Sequence, residues 1–220
     1  MIAAPATRGI GICFVTDRRA TLGRPVAEVA QAALEGGAEL VQLREKDLPG
    51  GELTRCARDL VGRARAFRGR PRVIVNDRLD VALAARAAGV HLPASGLPIH
   101  LVRPRVGRRF LIGRSVHSIA EARRAEKEGA DYLFFGPVFE TPGKAAFGPP
   151  QGPAALRRAA ESVRIPVWAI GGIRASNLPA IAGLPIAGVA VISAVAGAAD
   201  PAEAVRALRA ALRDEPGSPG

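Results

Sequence analysis

Short apolar runs rich in β-branched residues alternate along the chain with longer stretches whose apolar positions follow a helical spacing. This alternation is typical of βαβ units around a parallel sheet. The predicted strands span residues 11–16, 39–44, 72–76, 89–92, 110–115, 131–137, 166–170 and 188–193. The predicted helices span residues 26–34, 53–66, 79–87, 119–128, 153–160, 175–181 and 201–212. Between the fourth and fifth strands, Pro98 and Pro104 leave room for only a short helix within residues 97–106.

Eight strands with a helical segment after each predict a (β/α)8 TIM barrel, and 220 residues suffice for that fold. A doubly wound open sheet is the alternative, but no G-x-G-x-x-G sequence follows the first strand. We expect one domain over residues 1–213. The tail 214–220 contains Pro, Gly and Ser and is expected to fray.

The composition is that of a soluble globular chain, with 48% hydrophobic and 23% charged residues. No apolar run is long enough for a membrane span, and the first ten residues do not resemble a secretion signal. The two cysteines, Cys13 and Cys56, are too few for a disulfide framework or a zinc cluster. These features predict a cytoplasmic protein without a membrane partner.

The net charge of +11 raises the question of nucleic-acid binding. Aromatic residues make up only 4% of the chain, which leaves no stacking platform for single strands. The arginines are interpreted as scattered pairs, such as Arg18 with Arg19 and Arg108 with Arg109. We therefore expect a solvated basic exterior and no nucleic-acid partner, and the sequence leaves open whether the chain forms a homo-oligomer.

In a TIM barrel the site lies at the carboxyl ends of the strands. Alternation along the second strand places Gln42, Arg44 and Lys46 on one face, which predicts that all three point into the barrel and contact substrate. The third strand ends at Asn76 and Asp77. Asn76 is predicted to contact substrate, whereas Asp77 could ligate magnesium, cap the next helix or pair with an arginine.

The fifth strand places Ser115 and His117 on the same face as Gly113, whose small size is interpreted as room for a ligand. A histidine at this end can move protons near neutral pH, so His117 is the candidate catalytic residue. Of the two other histidines, His91 is expected to be internal and hydrogen-bonded, and His100 exposed.

The last two strands end in small residues whose backbone N–H groups can approach an anion. These candidate phosphate ligands are Gly171, Gly172, Ile192 and Ser193. Their pairing predicts a phosphorylated small molecule as the ligand. The loop after the sixth strand carries Thr141 and Lys144, and is interpreted either as a mobile substrate-binding flap or as a plain surface loop.

Taken together, these segments resemble the thiamine phosphate synthase superfamily, in order and over nearly the whole chain. The segments that carry the resemblance are 41–46 (VQLREK), 76–78 (NDR), 113–118 (GRSVHS), 136–141 (GPVFET), 170–173 (IGGI) and 191–193 (VIS). The superfamily consists of (β/α)8 barrels in two main branches. One branch joins a pyrimidine diphosphate to thiazole phosphate with magnesium, and the other is the thiazole tautomerase.

Two departures separate this chain from the synthase pattern. The resemblance implies His-Leu-Gly-Gln-x-Asp after the fourth strand, where the aspartate holds Mg²⁺, but residues 91–97 are HLPASGL. It also implies Thr-x-Thr-Lys in the flap, but residues 141–144 are TPGK. An acidic metal ligand and one diphosphate-binding hydroxyl are thus absent.

Other segments resemble the tautomerase branch, whose catalytic histidine aligns with His117. These segments are 113–118, 125–128 (AEKE) and 139–141. Against them, four residues keep the synthase pattern. They are Gln42, Lys46, Asn76 and Asp77.

We therefore expect a thiazole tautomerase that aromatises a carboxylated dihydrothiazole phosphate without a metal or redox cofactor. His117 would act as general base and then as general acid, and Arg44 would face the ring carboxylate. The first alternative is thiamine phosphate synthase, with Mg²⁺ held by Asp77. The second is a non-catalytic regulator that binds thiazole or thiamine phosphates.

Overall fold

A computed structural model describes residues 11–141 and 149–213. Its strands are β1 Gly11–Val15, β2 Leu40–Leu43, β3 Arg72–Asn76, β4 Gly89–Leu92, β5 Leu111–Val116, β6 Tyr132–Phe135, β7 Val167–Ile170 and β8 Gly188–Val191. Its α-helices are α1 Val26–Glu35, α2 Gly50–Ala64, α3 Leu79–Ala84, α4 Ile99–Val102, α5 Ile119–Glu128, α6 Gly152–Glu161, α7 Ser193–Ala196 and α8 Pro201–Arg213. Within the described residues, 3₁₀ helices span Arg18–Ala20, Arg103–Arg105 and Ala175–Ala180.

The eight strands form one closed parallel barrel in which each strand pairs with its neighbours in the sequence. The first strand closes on the last, with Cys13 opposite Ala190. Because all strands are parallel, their carboxyl ends meet at one end of the barrel. The predicted (β/α)8 fold is therefore confirmed.

Side chains alternate between two cores. Residues such as Val41 and Leu43 point outward and pack under the helices. The barrel interior is a smaller cluster of Cys13, Val15, Leu40, Ile74, Leu111, Tyr132, Phe134, Trp168 and Ala190. The interior is thus filled at its amino-terminal and middle levels, so a ligand can enter only from the carboxyl end.

Several predicted boundaries need correction. The predicted helix 175–181 is a 3₁₀ helix with Pro179 inside it, since proline cannot donate the α-helical hydrogen bond. The predicted eighth strand is too long, because it ends at Val191 and Ser193 starts the short helix α7. The predicted sixth strand, 131–137, is also too long and covers only Tyr132–Phe135. The tail 214–220 lies outside the described residues.

Cys13 and Cys56 are both free thiols, and burial raises the pKa of each. None of the described helices is long and apolar enough to cross a membrane.

Candidate active site

Gln42 and Asn76 point into the carboxyl end of the barrel, as predicted from the alternation of side chains along β2 and from the position of Asn76 at the end of β3. The Gln42 Nε2 atom donates to Asn76 Oδ1 at 2.9 Å. Gln42 is only 2% exposed, and its Oε1 atom has no hydrogen-bond partner among the described residues. A buried acceptor without a partner is costly, so this oxygen is suited to accept a hydrogen bond from a ligand.

A buried carboxylate fixes the start of the β2 loop. Glu45 is 5% exposed and accepts hydrogen bonds from Thr16 Oγ1 at 2.6 Å and from the Arg18 amide at 3.0 Å. Thr16 Oγ1 in turn accepts from the Arg44 amide at 2.9 Å. Sequence reasoning missed Thr16 and Glu45 as positioning residues. The available signal was the parity of β2, which places Glu45 outside the barrel interior.

Two cations stand next to this network. Arg44 is half-buried and Lys46 is exposed, and neither forms an ion pair within the described ranges 11–141 and 149–213. The neighbouring Asp47 is instead engaged by Arg18 at 2.7 Å and Arg19 at 2.9 Å. These arginines lower the pKa of the Asp47 carboxyl. Arg44 and Lys46 are therefore available to an anionic ligand.

Asp77 is an available carboxylate at the same end of the barrel. The structure does not support its predicted roles as a helix cap or an arginine partner. The N-cap of α3 is Arg78, without a side-chain hydrogen bond, and Arg78 pairs with Asp80 at 2.6 Å. The exposed Asp77 side chain has no hydrogen bond to any residue in the described part of the chain. Its backbone has a left-handed φ of 61°, and its amide donates to His91 O at 2.8 Å.

Position 96 is adjacent to this carboxylate. A Cβ atom added at Gly96 would lie 3.0 Å from Asp77 Oδ1. Arg114 holds the surrounding loop, because its guanidinium donates to Leu97 O at 2.9 Å and to Ala94 O at 3.2 Å. A side chain at position 96 would thus share a site with Asp77.

His91 is internal and hydrogen-bonded, as predicted. Its Nε2 lies 2.8 Å from Ser115 Oγ and its Nδ1 lies 3.2 Å from Tyr132 Oη. Burial lowers the pKa of His91 to about 3, so the ring is neutral at pH 7. The prediction that Gly113 leaves room for a ligand is wrong, because a Cβ there would lie 2.1 Å from Tyr132 Cζ. The space serves the Tyr132 and His91 rings, and His91 orients the Ser115 hydroxyl at the open end.

The low pKa of His91 predicts a pH-dependent stability. Below pH 6.5 the unfolded chain binds a proton that folded His91 refuses until about pH 3, so acid destabilises the fold across that window. At pH 5 the loss is about 2 kcal/mol, at ~1.4 kcal/mol per pH unit. We expect His91→Gln to unfold with a flatter pH dependence than the parent in denaturant titrations from pH 7 to 4. Parallel pH profiles for the two proteins would contradict a buried neutral imidazole.

His117 lies beyond the end of β5 and is exposed. Its Nδ1 hydrogen-bonds with Gly136 O, and its backbone amide donates to Glu121 Oε2 at 2.7 Å. Since a carbonyl can only accept, Nδ1 carries the proton and Nε2 is left to face solvent or ligand. The Ser118 hydroxyl caps α5 by accepting from the Glu121 amide at 3.2 Å, which fixes this segment.

The candidate phosphate residues lie together after β7 and β8. Gly171 and Gly172 have left-handed φ angles of 99° and 66°. Their carbonyls accept from the Phe139 amide at 3.0 Å and from Asn177 Nδ2 at 2.8 Å. Ser193 follows Ile192 at the first position of α7. Because the carbonyls of Gly171 and Gly172 already accept hydrogen bonds, the backbone N–H groups at these strand ends are the groups that can bind an anion.

The glycines also have a packing role that the sequence did not indicate. A Cβ at Gly172 would lie 2.2 Å from Glu140 O, so the loop after β6 closes directly over it. Thr141 Oγ1, at the end of the described loop, donates to Phe139 O at 3.2 Å. Lys144, the other predicted flap residue, lies outside the described residues.

Named proteins resemble this chain over nearly its whole length. A thiamine-phosphate synthase of Methanoculleus marisnigri is 46% identical over 204 residues, covering 91% of this chain and 94% of that protein. A thiamine-phosphate synthase of Roseiflexus sp. is 43% identical over 209 residues, covering 94% of this chain and 88% of that protein. The solved structure of thiamine phosphate pyrophosphorylase from Pyrococcus furiosus has a TM-score of 0.85 at 39% identity, covering 94% and 98%.

These relatives overturn the expected thiazole tautomerase activity. The prediction was wrong because it gave too much weight to the aspartate missing at Gly96 and to the hydroxyl missing from the flap. The structure retains the Asp77 carboxylate beside Gly96, and one carboxylate with substrate phosphates can suffice for Mg²⁺. The roles expected of His117 as tautomerase base and of Arg44 as partner of a ring carboxylate are withdrawn with that activity.

The family model for thiamine monophosphate synthase matches residues 12–195. This range extends from β1 into α7 and therefore contains the whole of the site described above. The chain belongs to the thiamine monophosphate synthase family.

Proposed function

We propose that this protein is a thiamine-phosphate synthase, which joins hydroxymethylpyrimidine diphosphate to thiazole phosphate and releases diphosphate. The observation that carries the proposal is the available Asp77 carboxylate at the same barrel end as Arg44 and Lys46, two cations without an ion pair among the described residues. A diphosphate with a bound divalent cation needs both kinds of group, whereas proton transfer on a thiazole needs neither a metal ligand nor a second cation. The names of the relatives at 43–46% identity support the same activity.

The reaction replaces one bond at the pyrimidine methylene carbon. The carbon–oxygen bond to diphosphate breaks with its electron pair leaving on oxygen, and the thiazole nitrogen lone pair forms the new carbon–nitrogen bond. Arg44 and Lys46 would stabilise the negative charge that develops on the leaving oxygen. The backbone N–H groups near Gly172 and Ser193 would hold the thiazole phosphate across the barrel.

The residues present can hold magnesium, although they offer few acidic ligands. Within residues 11–141 and 149–213, no group of three or more His, Cys, Asp or Glu side chains is placed to hold a metal ion. Mg²⁺ nevertheless commonly binds through one or two carboxylates, with water and substrate phosphates completing its shell. Asp77 would hold it here, and the bound ion would supply positive charge to the diphosphate oxygens.

Gln42 would recognise the pyrimidine. Its buried Oε1 atom has no partner among the described residues, while Nε2 is engaged by Asn76. The amino group of the pyrimidine is a donor that can satisfy this acceptor. Ser115, held by His91, would present its hydroxyl to the same ligand.

The test is an assay of diphosphate release from both substrates, with Mg²⁺ and with excess chelator. We expect stoichiometric diphosphate and thiamine phosphate with Mg²⁺, and loss of both with chelator. Absence of diphosphate in the presence of Mg²⁺ would refute the synthase. If substrates bind without any turnover, the protein is a non-catalytic regulator instead.

A substitution next to Asp77 is expected to strengthen metal binding. Gly96→Asp places a second carboxylate beside Asp77, since the Cβ position lies 3.0 Å from Asp77 Oδ1, although the Pro93 ring, with its Cδ 2.8 Å from that Cβ, must shift in this variant and in its asparagine control alike. We expect Mg²⁺ to bind about tenfold more tightly in the presence of diphosphate, or ~1.4 kcal/mol. Calorimetric titration measures this without reference to activity. Gly96→Asn is the matched control, and an equal gain in both variants would show that the added charge is not at the metal.

A further inference from the structure

A basic groove lies at the amino-terminal end of the barrel, at the other end of the strands from the candidate active site. It runs along the end of α2, the start of β3 and the turn between α3 and β4. Two adjoining cavities of about 450 and 430 Å³ form it, and both are lined by Val61, Arg65 and Arg86. We call it the arginine groove, after its lining residues Arg58, Arg65, Arg70, Arg72 and Arg86.

This grouping differs from the expectation of scattered arginine pairs. Residues 63–72 contain five arginines, and the fold adds Arg58 and Arg86 beside three of them. No Asp or Glu occurs in residues 60–76 or 81–120. Positive charge is therefore concentrated on this face rather than dispersed.

The carboxylates nearest in the sequence do not neutralise the groove. Asp59 pairs with Arg63 at 3.0 Å, and Asp80 pairs with Arg78 at 2.6 Å. None of the five groove arginines forms an ion pair with a residue that the structure describes. Crowded like charges repel, so the groove is stabilised by any anion that enters it.

Two of the groove arginines stand at turns with an unusual backbone conformation. Arg70 and Arg86 have left-handed φ angles of 48° and 52°. A non-glycine residue there costs free energy that glycine would avoid. Leu22 has a similar φ of 57°, so this conformation is not specific to the groove, and the charge of Arg70 and Arg86 is the reason to assign these side chains a role.

We propose that the arginine groove binds a small oligophosphate, with two or three linked phosphate groups. Guanidinium groups form paired hydrogen bonds with phosphate oxygens, and several converging arginines match a chain of phosphates better than a single one. The cavity volume suits a ligand of this size. The lining residues include no aromatic side chain, so the groove recognises phosphates and not a stacked base.

Calorimetric titration with inorganic triphosphate tests the proposal in an Arg44→Ala/Lys46→Ala background, which removes two cations of the candidate active site. We expect one triphosphate per chain, bound at least tenfold more tightly than inorganic phosphate and more weakly as salt is raised. Arg65→Gln/Arg86→Gln should weaken binding about a hundredfold, one decade for each charge-assisted contact. Arg157→Gln/Arg206→Gln removes the same charge elsewhere and should leave binding within about twofold, because both residues pair within their own helices.

Arg70→Gly provides a second variant that also relieves the backbone, so weaker binding in this variant could not result from unfolding. If ATP binds as tightly as triphosphate, the ligand of the groove is the phosphate chain of a nucleotide. If triphosphate binds and ATP does not, the ligand is an inorganic oligophosphate. No preference for triphosphate over phosphate, or binding unaffected by the groove variants, would refute the proposal. Tighter binding of a short RNA than of triphosphate through the same arginines would replace it with a nucleic-acid surface. Diphosphate release by the groove variants in the parent background tests the proposed function separately.

Discussion

Asp77→Asn is expected to lower the rate of diphosphate release about a thousandfold, which corresponds to ~4 kcal/mol of transition-state stabilisation. The reason is that Asp77 is the carboxylate at the end of β3 without a partner in the described chain, so asparagine removes the charge that would hold Mg²⁺. Asparagine keeps the side-chain shape and tolerates the left-handed backbone at this position. Steady-state assays of diphosphate release over a range of Mg²⁺ concentrations measure the effect.

Asp80→Asn is the matched control for this prediction. Asp80 lies one turn away and pairs with Arg78 on an exposed surface, so its loss should change the rate by less than about twofold. If saturating Mg²⁺ restored full activity to Asp77→Asn, the aspartate would only assist metal binding. If Asp77→Asn were as active as the parent at low Mg²⁺, the proposed metal site would be wrong.

Local sequence chemistry predicted the elements with strong end signals. The bounds predicted for α5, 119–128, agree with the structure because Ser118 caps one end and Gly129 adopts a left-handed φ of 98° at the other. The start of α2 was predicted late because Gly50 and Gly51 are poor helix formers, although the helix begins directly after Pro49. Tertiary packing overrides propensity at such an end.

Parity along a strand predicted which side chains reach the site, but not what they do there. It placed Gln42 inside the barrel, where the structure also brings Asn76, from the end of β3, within hydrogen-bond distance of it. It could not reveal that Asp77 has no side-chain partner among the described residues, because that depends on the ion pair between Arg78 and Asp80. The choice between the two branches of the superfamily failed for a related reason, since it rested on missing residues and not on the residues that remain.

The other large expected effect is a loss of stability on substitution of Gly113, the glycine that makes room for buried rings and not for a ligand. Gly113→Ala should destabilise the fold by about 3 kcal/mol, because its Cβ would lie 2.1 Å from Tyr132 Cζ and 2.6 Å from His91 Nδ1. Both rings are buried and hydrogen-bonded to each other, so neither can move aside cheaply. In a chain of this size the melting temperature should fall by about 6 to 12 °C, which thermal denaturation measures.

Two comparisons separate this steric cause from a general intolerance of alanine. Gly62→Ala lies inside α2 with nothing within 4 Å of the new Cβ, and should instead stabilise the protein by about 0.5 to 1 kcal/mol. In a Tyr132→Val background the contacts with the Tyr132 ring are removed and the contact with His91 Nδ1 at 2.6 Å remains, so Gly113→Ala should cost about 1 kcal/mol there. A coupling free energy near 2 kcal/mol would place Tyr132 as the obstacle. Equal costs of Gly113→Ala in the two backgrounds would mean that the Tyr132 ring is not the obstacle, and that the cost comes from the contact with His91 or from the backbone at position 113.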